Sequence, residues 1–245
     1  MYEFVRQPKW IIAHLLTGLL LTVFIFAGFW QLDRHDKRVK LNNTIATQIE
    51  SKTLPLEAFS ATEAKSLEYR IFQGQGSWIP EDAVLIRNRS YQELSGCHLA
   101  VPVMVQPQEA IIVIVGWLQD TECVSPNSFV PEGEVTLTAR ARLTQKRGAI
   151  GPKDAENGRL ESLARVDVAR IDKQTSINLA PHYLELINAE PTVKNVFSLD
   201  PPSTNNGPHL AYAIQWLLFF GVGVVGYPLF LRRQAIHGES ESLDS

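Results

Sequence analysis

Two long runs of apolar residues lie near the ends of the chain, and the residues between them have the mixed polarity of a soluble domain. The first run, from Trp10 to Leu32, contains no charged residue. As a helix rising about 1.5 Å per residue it is about 34 Å long, which is enough to cross a bilayer. Because DRHDKR follows it instead of a small-residue cleavage site, we interpret it as a retained anchor. The second run, from Leu210 to Leu231, predicts another span.

The basic residues around the two spans predict their orientation. Arg232 and Arg233 follow the second span directly, whereas the nearest basic residue before it is Lys194, which favours a cytoplasmic C-terminus. The first span has the opposite bias, but long loops translocate largely regardless of charge, so we weight the second span. The sequence therefore predicts a plasma-membrane (inner-membrane) protein with a cytoplasmic N-terminus at 1–9, spans at 10–32 and 209–231, an extracytoplasmic domain at 33–208, and a disordered cytoplasmic tail at 232–245.

The middle region is patterned mainly as strands. Short segments rich in β-branched or aromatic residues, separated by Pro, Gly, Asp and Glu, predict strands at Tyr69–Trp78, Ala83–Tyr91, Cys97–Gln106, Ala110–Leu118 and Glu134–Arg142. Helical patterns are predicted at Asp33–Glu50, Asp167–Lys173 and His182–Asn188. The predicted fold is two transmembrane helices flanking a mainly-β (α+β) domain with an antiparallel sheet or small barrel. The Gly74–Gly76 motif GQG indicates a bulge or turn within a strand.

Composition excludes several classes of protein. A net charge of -3 argues against a nucleic-acid-binding protein, and 45% hydrophobic residues argue against a disordered chain. Nucleophile-elbow, phosphate-loop and zinc-protease motifs are all missing from the sequence, so we expect no enzyme. Cys97 and Cys123 are too few for a zinc site of four thiolates, and they either form one disulfide or remain reduced and buried.

The histidines separate by depth along the two spans. His14 lies near the predicted cytoplasmic end of the first span and His209 opens the second at the outer face, so they differ in height by about 25 Å and cannot share a metal. A helix N-terminus favours neutral imidazole, the state that an iron ligand needs. Tyr212 and Trp216 follow on the same helix face with Gln215 beside them, which suits a porphyrin. The alternative is a belt of interfacial aromatic residues.

A matching set of residues is predicted at the outer end of the first span. Gln31, Arg34 and Lys37 recur every three residues beside Trp30, so they share a face on which the cations could hold haem propionates. Alternatively, these cations contact lipid headgroups. His35 is a less favoured second iron ligand, and for His14 we favour a role in helix packing over metal binding.

The motifs GFWQLDRHDKR (28–38) and GPHLAYAIQWLLF (207–219) resemble the two signatures of the SURF1 family of cytochrome c oxidase assembly factors. The segments VLIRNRSY, GCHLAVPV, IIVIVGWL, TQKRGAIGPKD and SLARVDVARI are similar to the actinobacterial branch, so the resemblance covers nearly the whole chain. Two positions depart from the family pattern: Asp36 replaces an aromatic residue and Val115 replaces an arginine.

The resemblance implies a non-enzymatic membrane factor that helps build an aa3-type cytochrome c oxidase by receiving haem a and presenting it to subunit I. It implies that His209 is the ligand of the haem iron, and it makes haem a synthase and a respiratory supercomplex further candidate partners. Two alternatives remain. One is a stable accessory subunit of the oxidase, whose Gly221, Gly223 and Gly226 would let another helix approach closely. The other is a receptor for an unrelated ligand.

Overall fold

A computed structural model describes residues 6–130 and 132–243, without the side chains of 65, 128 and 237–243. The helices are α1 (Pro8–Glu50), α2 (Ala64–Leu67), α3 (Val168–Asp172) and α4 (His209–Leu243). The strands are β1 (Leu54–Pro55), β2 (Ile71–Trp78), β3 (Val84–Tyr91), β4 (Leu94–Gln106), β5 (Glu109–Gln119), β6 (Glu134–Arg142), β7 (Ser162–Leu163) and β8 (Asn178–Glu190). The chain forms two compact units, one of residues up to Thr44 and from Ser203 onward, and one of Ile45–Pro202.

The first unit pairs α1 with α4 in antiparallel orientation. Near the start of α1, His14 Nδ1 lies 2.5 Å from the hydroxyl of Tyr227, which is in the second half of α4. Near the start of α4, the His209 ring contacts Gln31. Between these contacts the helices approach closely, because a Cβ at Gly28 would lie 2.9 Å from a methyl carbon of Leu217. The height difference between His14 and His209 is therefore confirmed.

Both helices are long and apolar enough to cross a membrane, and their apolar side chains are largely exposed. α1 continues without a break to Glu50, which confirms the helix predicted at Asp33–Glu50. α4 continues to Leu243 and so covers most of the segment predicted as a disordered tail, whereas Asp244 and Ser245 lie outside the described residues. The physical reason is that adding residues to an existing helix needs no new nucleation.

The second unit is built on one eight-stranded sheet in the order β1-β2-β6-β8-β5-β4-β3-β7, and β2 also pairs with the end of β4. All five predicted strands are confirmed, as β2 to β6. The predicted antiparallel sheet is correct only in part, because the sheet is mixed: β1 runs parallel to β2, β7 to β3, and β8 to β5.

The central strand β5 is buried on both faces. Its residues alternate between two hydrophobic clusters, with Ile111, Val113 and Val115 in one and Ile112 and Ile114 in the other. A strand that is covered on both faces needs apolar residues at every position. This explains the uninterrupted run AIIVIVGWL.

The helix predicted at His182–Asn188 is wrong, because this segment belongs to β8. β8 lies between β5 and β6, and it pairs with β5 over Asn178–Glu185 and with β6 over Tyr183–Glu190. Its burial does not alternate regularly, since a register shift interrupts each of the two pairings. Tertiary pairing here overrides the helical appearance of HYLELIN. The helix predicted at Asp167–Lys173 is confirmed as α3, with the Asp167 side chain accepting from the Arg170 N–H at its N-terminus.

The structure tests the predictions for the two cysteines and for the GQG motif. Cys97 and Cys123 form a disulfide. The GQG motif lies within the continuous strand β2, so the prediction of a bulge or turn is wrong. Its glycines allow close approach instead: a Cβ at Gly74 would lie 2.6 Å from Leu56, and one at Gly76 would lie 2.7 Å from the Met104 carbonyl oxygen.

Candidate functional site

The first unit contains a cavity of about 490 Å³ beside the start of α4. On one side it is lined by Arg34, Lys37, Arg38 and Leu41 of α1, and on the other by Ser203, Asn205, Asn206, Gly207 and His209. Its charged lining residues are all basic. The spacing of Arg34, Lys37, Arg38 and Leu41 puts them on one face of α1.

The segment Ser203–Gly207, which we call the strap, is hydrogen-bonded to α1. Arg38 Nε donates to the Asn205 carbonyl at 2.9 Å. One turn further along α1, Asn42 Nδ2 donates to the Thr204 carbonyl and to Asn206 Oδ1, both at 2.7 Å. The Gly207 N–H then donates to Asn205 Oδ1 at 2.8 Å, which closes a turn directly before α4. The strap therefore fixes the position at which α4 begins.

His209 is oriented by a side chain of α1. Its Nδ1 lies 2.9 Å from Gln31 Oε1, and because an amide oxygen can only accept, Nδ1 carries the proton. In the neutral imidazole this leaves the lone pair on Nε2. Gly207 has a φ of +68°, and a Cβ built there would lie 3.6 Å from Nε2. Glycine thus meets the backbone requirement of the turn.

The cations of the cavity differ in their partners. Lys37 Nζ forms an exposed ion pair with Asp33, four residues earlier, at 2.6 Å. Arg38 is engaged with the carbonyls of the strap. Arg34 has no acidic partner among the described residues, so its charge is the most available to a ligand that enters the cavity.

The cavity is built from two segments that are distant in the sequence, at 34–41 and 203–209. The model of the SURF1 family matches residues 19–221, a range that contains every residue of the cavity. This chain belongs to the SURF1 family. SURF1-like proteins of Mycobacterium tuberculosis and Mycobacterium bovis are 24% identical to it over 233 residues, which are 93% of this chain and 85% of theirs. The SURF1 family is generally linked to cytochrome c oxidase assembly.

In this SURF1 protein the predicted site residues divide into two groups. The structure brings together His209, Gln31, Arg34 and Lys37 at or beside the cavity. It does not bring the predicted aromatic group into the lining: Trp30 and Tyr212 are about half exposed, and Gln215 is exposed. Trp216 packs instead against Phe24 of α1, with ring centroids 5.6 Å apart. The porphyrin-facing role of these four residues stays a prediction.

Two histidines of this SURF1 protein were weighed as metal ligands. His14 contacts Tyr227 by its hydrogen bond and by an edge-to-face ring contact at 5.7 Å, which agrees with the predicted packing role. His35 lies one residue from Arg34 but does not line the cavity, and its Nδ1 is buried without a hydrogen-bond partner among the described residues. Among those residues, no group of three or more His, Cys, Asp or Glu is placed to hold a metal ion.

Sequence reasoning missed the residues that build the strap of this SURF1 protein. The sequence pattern assigns Arg38 to the basic cluster after the first span, and it predicts no role at the cavity for Asn42 or Asn205. One signal was available, because two asparagines before Gly-Pro are typical of a turn that leads into a helix. The pairing of that turn with α1 is a contact between distant parts of the chain, and no local pattern encodes it.

Proposed function

We propose that this protein is a membrane-anchored, non-enzymatic assembly factor for an aa3-type cytochrome c oxidase, and that it receives haem a and assists its insertion into subunit I. The observation that carries this proposal is the hydrogen bond from His209 Nδ1 to Gln31 Oε1 beside a cavity lined by cations. Metal-binding histidines characteristically donate their second ring N–H to an acceptor that fixes the tautomer. Membership of the SURF1 family supplies the link to the oxidase.

The residues present fit a haem in two respects. His209 would hold the haem iron through Nε2, because its Nδ1 is engaged by Gln31. Arg34 and Lys37 offer positive charge for the propionates, with Arg34 free of an acidic partner among the described residues. When bound, haem a would supply the redox-active iron that the oxidase requires. One imidazole binds more weakly than two, which suits a protein that must release its cargo.

The location that we propose has both termini in the cytoplasm and residues 33–208 on the outer side of the plasma membrane. The disulfide between Cys97 and Cys123 supports an oxidising compartment for this region. Arg232 and Arg233 after the second span support a cytoplasmic C-terminus. A haem a synthase would then supply the cargo from within the membrane, and subunit I, alone or in a respiratory supercomplex, would accept it.

The test is to express the full chain in cells that make haem a, purify it in detergent and record its absorption spectrum. We expect a haem a spectrum for the wild type and loss of the bound haem in His209→Ala. His35→Ala is the matched control, because His35 is next to Arg34 on α1 but does not line the cavity. The spectrum of this variant should match that of the wild type. A wild-type protein without haem, or an unchanged spectrum in His209→Ala, would refute the carrier role.

A stable accessory subunit is the second candidate. This candidate is supported by three glycines of α1 and α4. A Cβ at Gly18, Gly221 or Gly226 would meet no neighbouring atom within 4 Å, so another helix could approach these faces closely. Gly223 does not belong to this group, because a Cβ there would lie 2.5 Å from Leu21 of α1. Stoichiometric co-purification with mature, active oxidase would favour the accessory subunit. Association with immature complexes alone would favour the assembly factor.

A further inference from the structure

A second basic cavity lies in the second unit, beside α3 and the loop that leads to β7. Its volume is about 250 Å³. Five cations line it: Arg147, Lys153, Arg165, Arg170 and Lys173. All belong to Ile45–Pro202, so this cavity is separate from the site that contains His209.

The three guanidinium groups are held by backbone carbonyls. Arg147 Nε donates to the Gly151 carbonyl at 3.2 Å, and Arg165 Nη2 donates to the Pro152 carbonyl at 2.8 Å. Arg170 donates to the carbonyls of Ala155 and Gly158, at 2.6 and 2.7 Å. Carbonyls orient a guanidinium group but do not neutralise it. None of the three arginines forms an ion pair with a carboxylate among the described residues.

Arg170 carries a positive charge that is buried beside the cavity. It is only 8% exposed, and its remaining side-chain partner is the neutral amide oxygen of Gln174, at 3.1 Å. A buried charge without a counter-ion is unfavourable, so a cavity beside it favours an anion.

The carboxylates at the cavity are already engaged. Asp154 pairs with Arg87 at 2.5 Å and accepts from the Ala164 N–H. Glu156 pairs with Lys153 at 2.8 Å, and this contact lowers the pKa of its carboxyl. Asp167 accepts from the Arg170 N–H at the start of α3. The lining therefore holds five cations against three carboxylates, and one of these carboxylates, Asp154, is paired with Arg87 outside the lining, so the cavity keeps a net positive charge.

We propose that this cavity binds an anion of the phosphate class, either free phosphate or the phosphate group of an anionic lipid headgroup. Guanidinium groups match the paired oxygens of phosphate, and several of them around one cavity favour an anion with more than one acceptor oxygen over chloride. The loop that precedes α3 supplies Arg147 and Lys153 from one short stretch of sequence, and bound phosphate would tie this stretch to α3. The proposal does not depend on haem binding.

The test uses the full chain in nanodiscs of phosphatidylcholine. Sodium phosphate is titrated at constant ionic strength with sodium chloride as the balancing salt, and hydrogen exchange is followed at residues 146–158. A parallel sample without phosphate uses nanodiscs that contain phosphatidylglycerol. Slower, saturable exchange with phosphate identifies the free anion as ligand, and slower exchange only with phosphatidylglycerol identifies the lipid headgroup.

Variants show whether the cavity causes the effect. Arg147→Gln/Lys173→Gln removes two exposed cations from the lining, and we expect about tenfold or more loss of apparent affinity. Lys52→Gln/Lys146→Gln is the matched control, because it removes the same charge from exposed residues outside the lining. Three results would overturn the proposal. The first is that neither phosphate nor phosphatidylglycerol slows hydrogen exchange, and the second is that chloride slows it equally. The third is that the two double variants respond identically to phosphate or to phosphatidylglycerol.

Discussion

An imidazole can present either of its ring nitrogens to a ligand, and at His209 the neighbouring Gln31 determines which one. The 2.9 Å contact places the proton on Nδ1. Gln31 was predicted as a residue that contacts the cofactor, together with Arg34 and Lys37. The structure gives it a different task, since it contacts the histidine and does not line the cavity. We therefore regard Gln31 as a positioning residue.

Gln31→Leu should remove the hydrogen bond that orients His209, because leucine cannot accept from the Nδ1–H group. We expect His209 to lose its fixed tautomer, and haem affinity, where haem binds, to fall by about 10- to 100-fold. Nitrogen-15 NMR of the labelled imidazoles measures the tautomer without haem. Gln31→Glu keeps an acceptor and serves as the control. A fixed Nδ1–H tautomer in Gln31→Leu would contradict the assigned role.

A second histidine, His98 of β4, has an unusual environment in the other unit. Burial, with a smaller contribution from the Arg89 cation, lowers its pKa from 6.5 to about 4. It lines a small cavity with Arg140, Arg142 and other residues. A histidine with a lowered pKa stays neutral in the folded protein over a pH range in which it protonates in the unfolded chain.

Stability should therefore fall with acidification between about pH 6.5 and pH 4. Over this range the unfolded state takes up a proton at His98 that the folded state does not, so the contribution of His98 is complete above pH 6.5 and is lost by pH 4. The effect is on the order of 3 kcal/mol. Thermal unfolding from pH 7 to pH 4 should depend less on pH in His98→Gln than in the wild type. His182→Gln is the control, because His182 is more exposed and should have a smaller effect.

At the scale of the elements, β5 changes partner near its end. It pairs with β8 up to Ile114, and beyond this point Trp117 forms an isolated bridge with Phe197. A Cβ at Gly116 would lie 2.4 Å from the Phe197 carbonyl oxygen. Glycine is therefore required at this position for the returning chain to reach the strand.

Gly116→Ala should destabilise the second unit by about 1–3 kcal/mol, because the new methyl group forces two backbone segments apart. Gly148→Ala is the matched control, since the nearest atom to its Cβ would be 3.9 Å away, and this change should have little effect. Thermal unfolding of the full chain in detergent measures both. Equal stability of the two variants would show that the contact with Phe197 is not important.

Elements with a distinct local pattern of hydrophobic residues could be predicted from the sequence, whereas elements that depend on pairing between distant residues could not. β5 was predicted because a strand buried on both faces is apolar throughout. β8 was mistaken for a helix because its two neighbours, β5 and β6, determine its conformation and its burial does not alternate. The parallel pairs of the sheet were missed for the same reason, since strand order depends on contacts between distant residues.

The candidate site was predictable to a similar extent. Gln31, Arg34 and Lys37 could be placed near His209 because antiparallel spans and a rise of about 1.5 Å per residue determine the height of each residue. The rotation of each helix about its axis could not be predicted in this way, so the packing of Trp216 against Phe24 was missed.

At the scale of the molecule, the disulfide constrains the second unit. It joins Cys97 of β4 to Cys123, across a sequence separation of 26 residues. Cys97 is 1% exposed and belongs to the larger hydrophobic cluster. The crosslink therefore connects the core to the segment that follows β5 and restricts the unfolded chain.

Cys97→Ala/Cys123→Ala should lower the stability of this unit by about 3 kcal/mol, because the unfolded chain regains the freedom of the closed loop. Reductant should lower the unfolding temperature of the wild type in a thermal scan. It should leave the double variant unchanged, which controls for other effects of the reagent. A wild type insensitive to reductant under conditions that reduce the bond would contradict this prediction.

The pairing of Gln31 with His209 has a consequence for biosynthesis. The ribosome makes these two residues early and late, with the entire sheet between them. While the nascent polypeptide is still growing, α1 has no α4 to meet and the imidazole has not been made. Only finished molecules that contain α4 can assemble the cavity, so truncated products should lack the contact between Gln31 and His209.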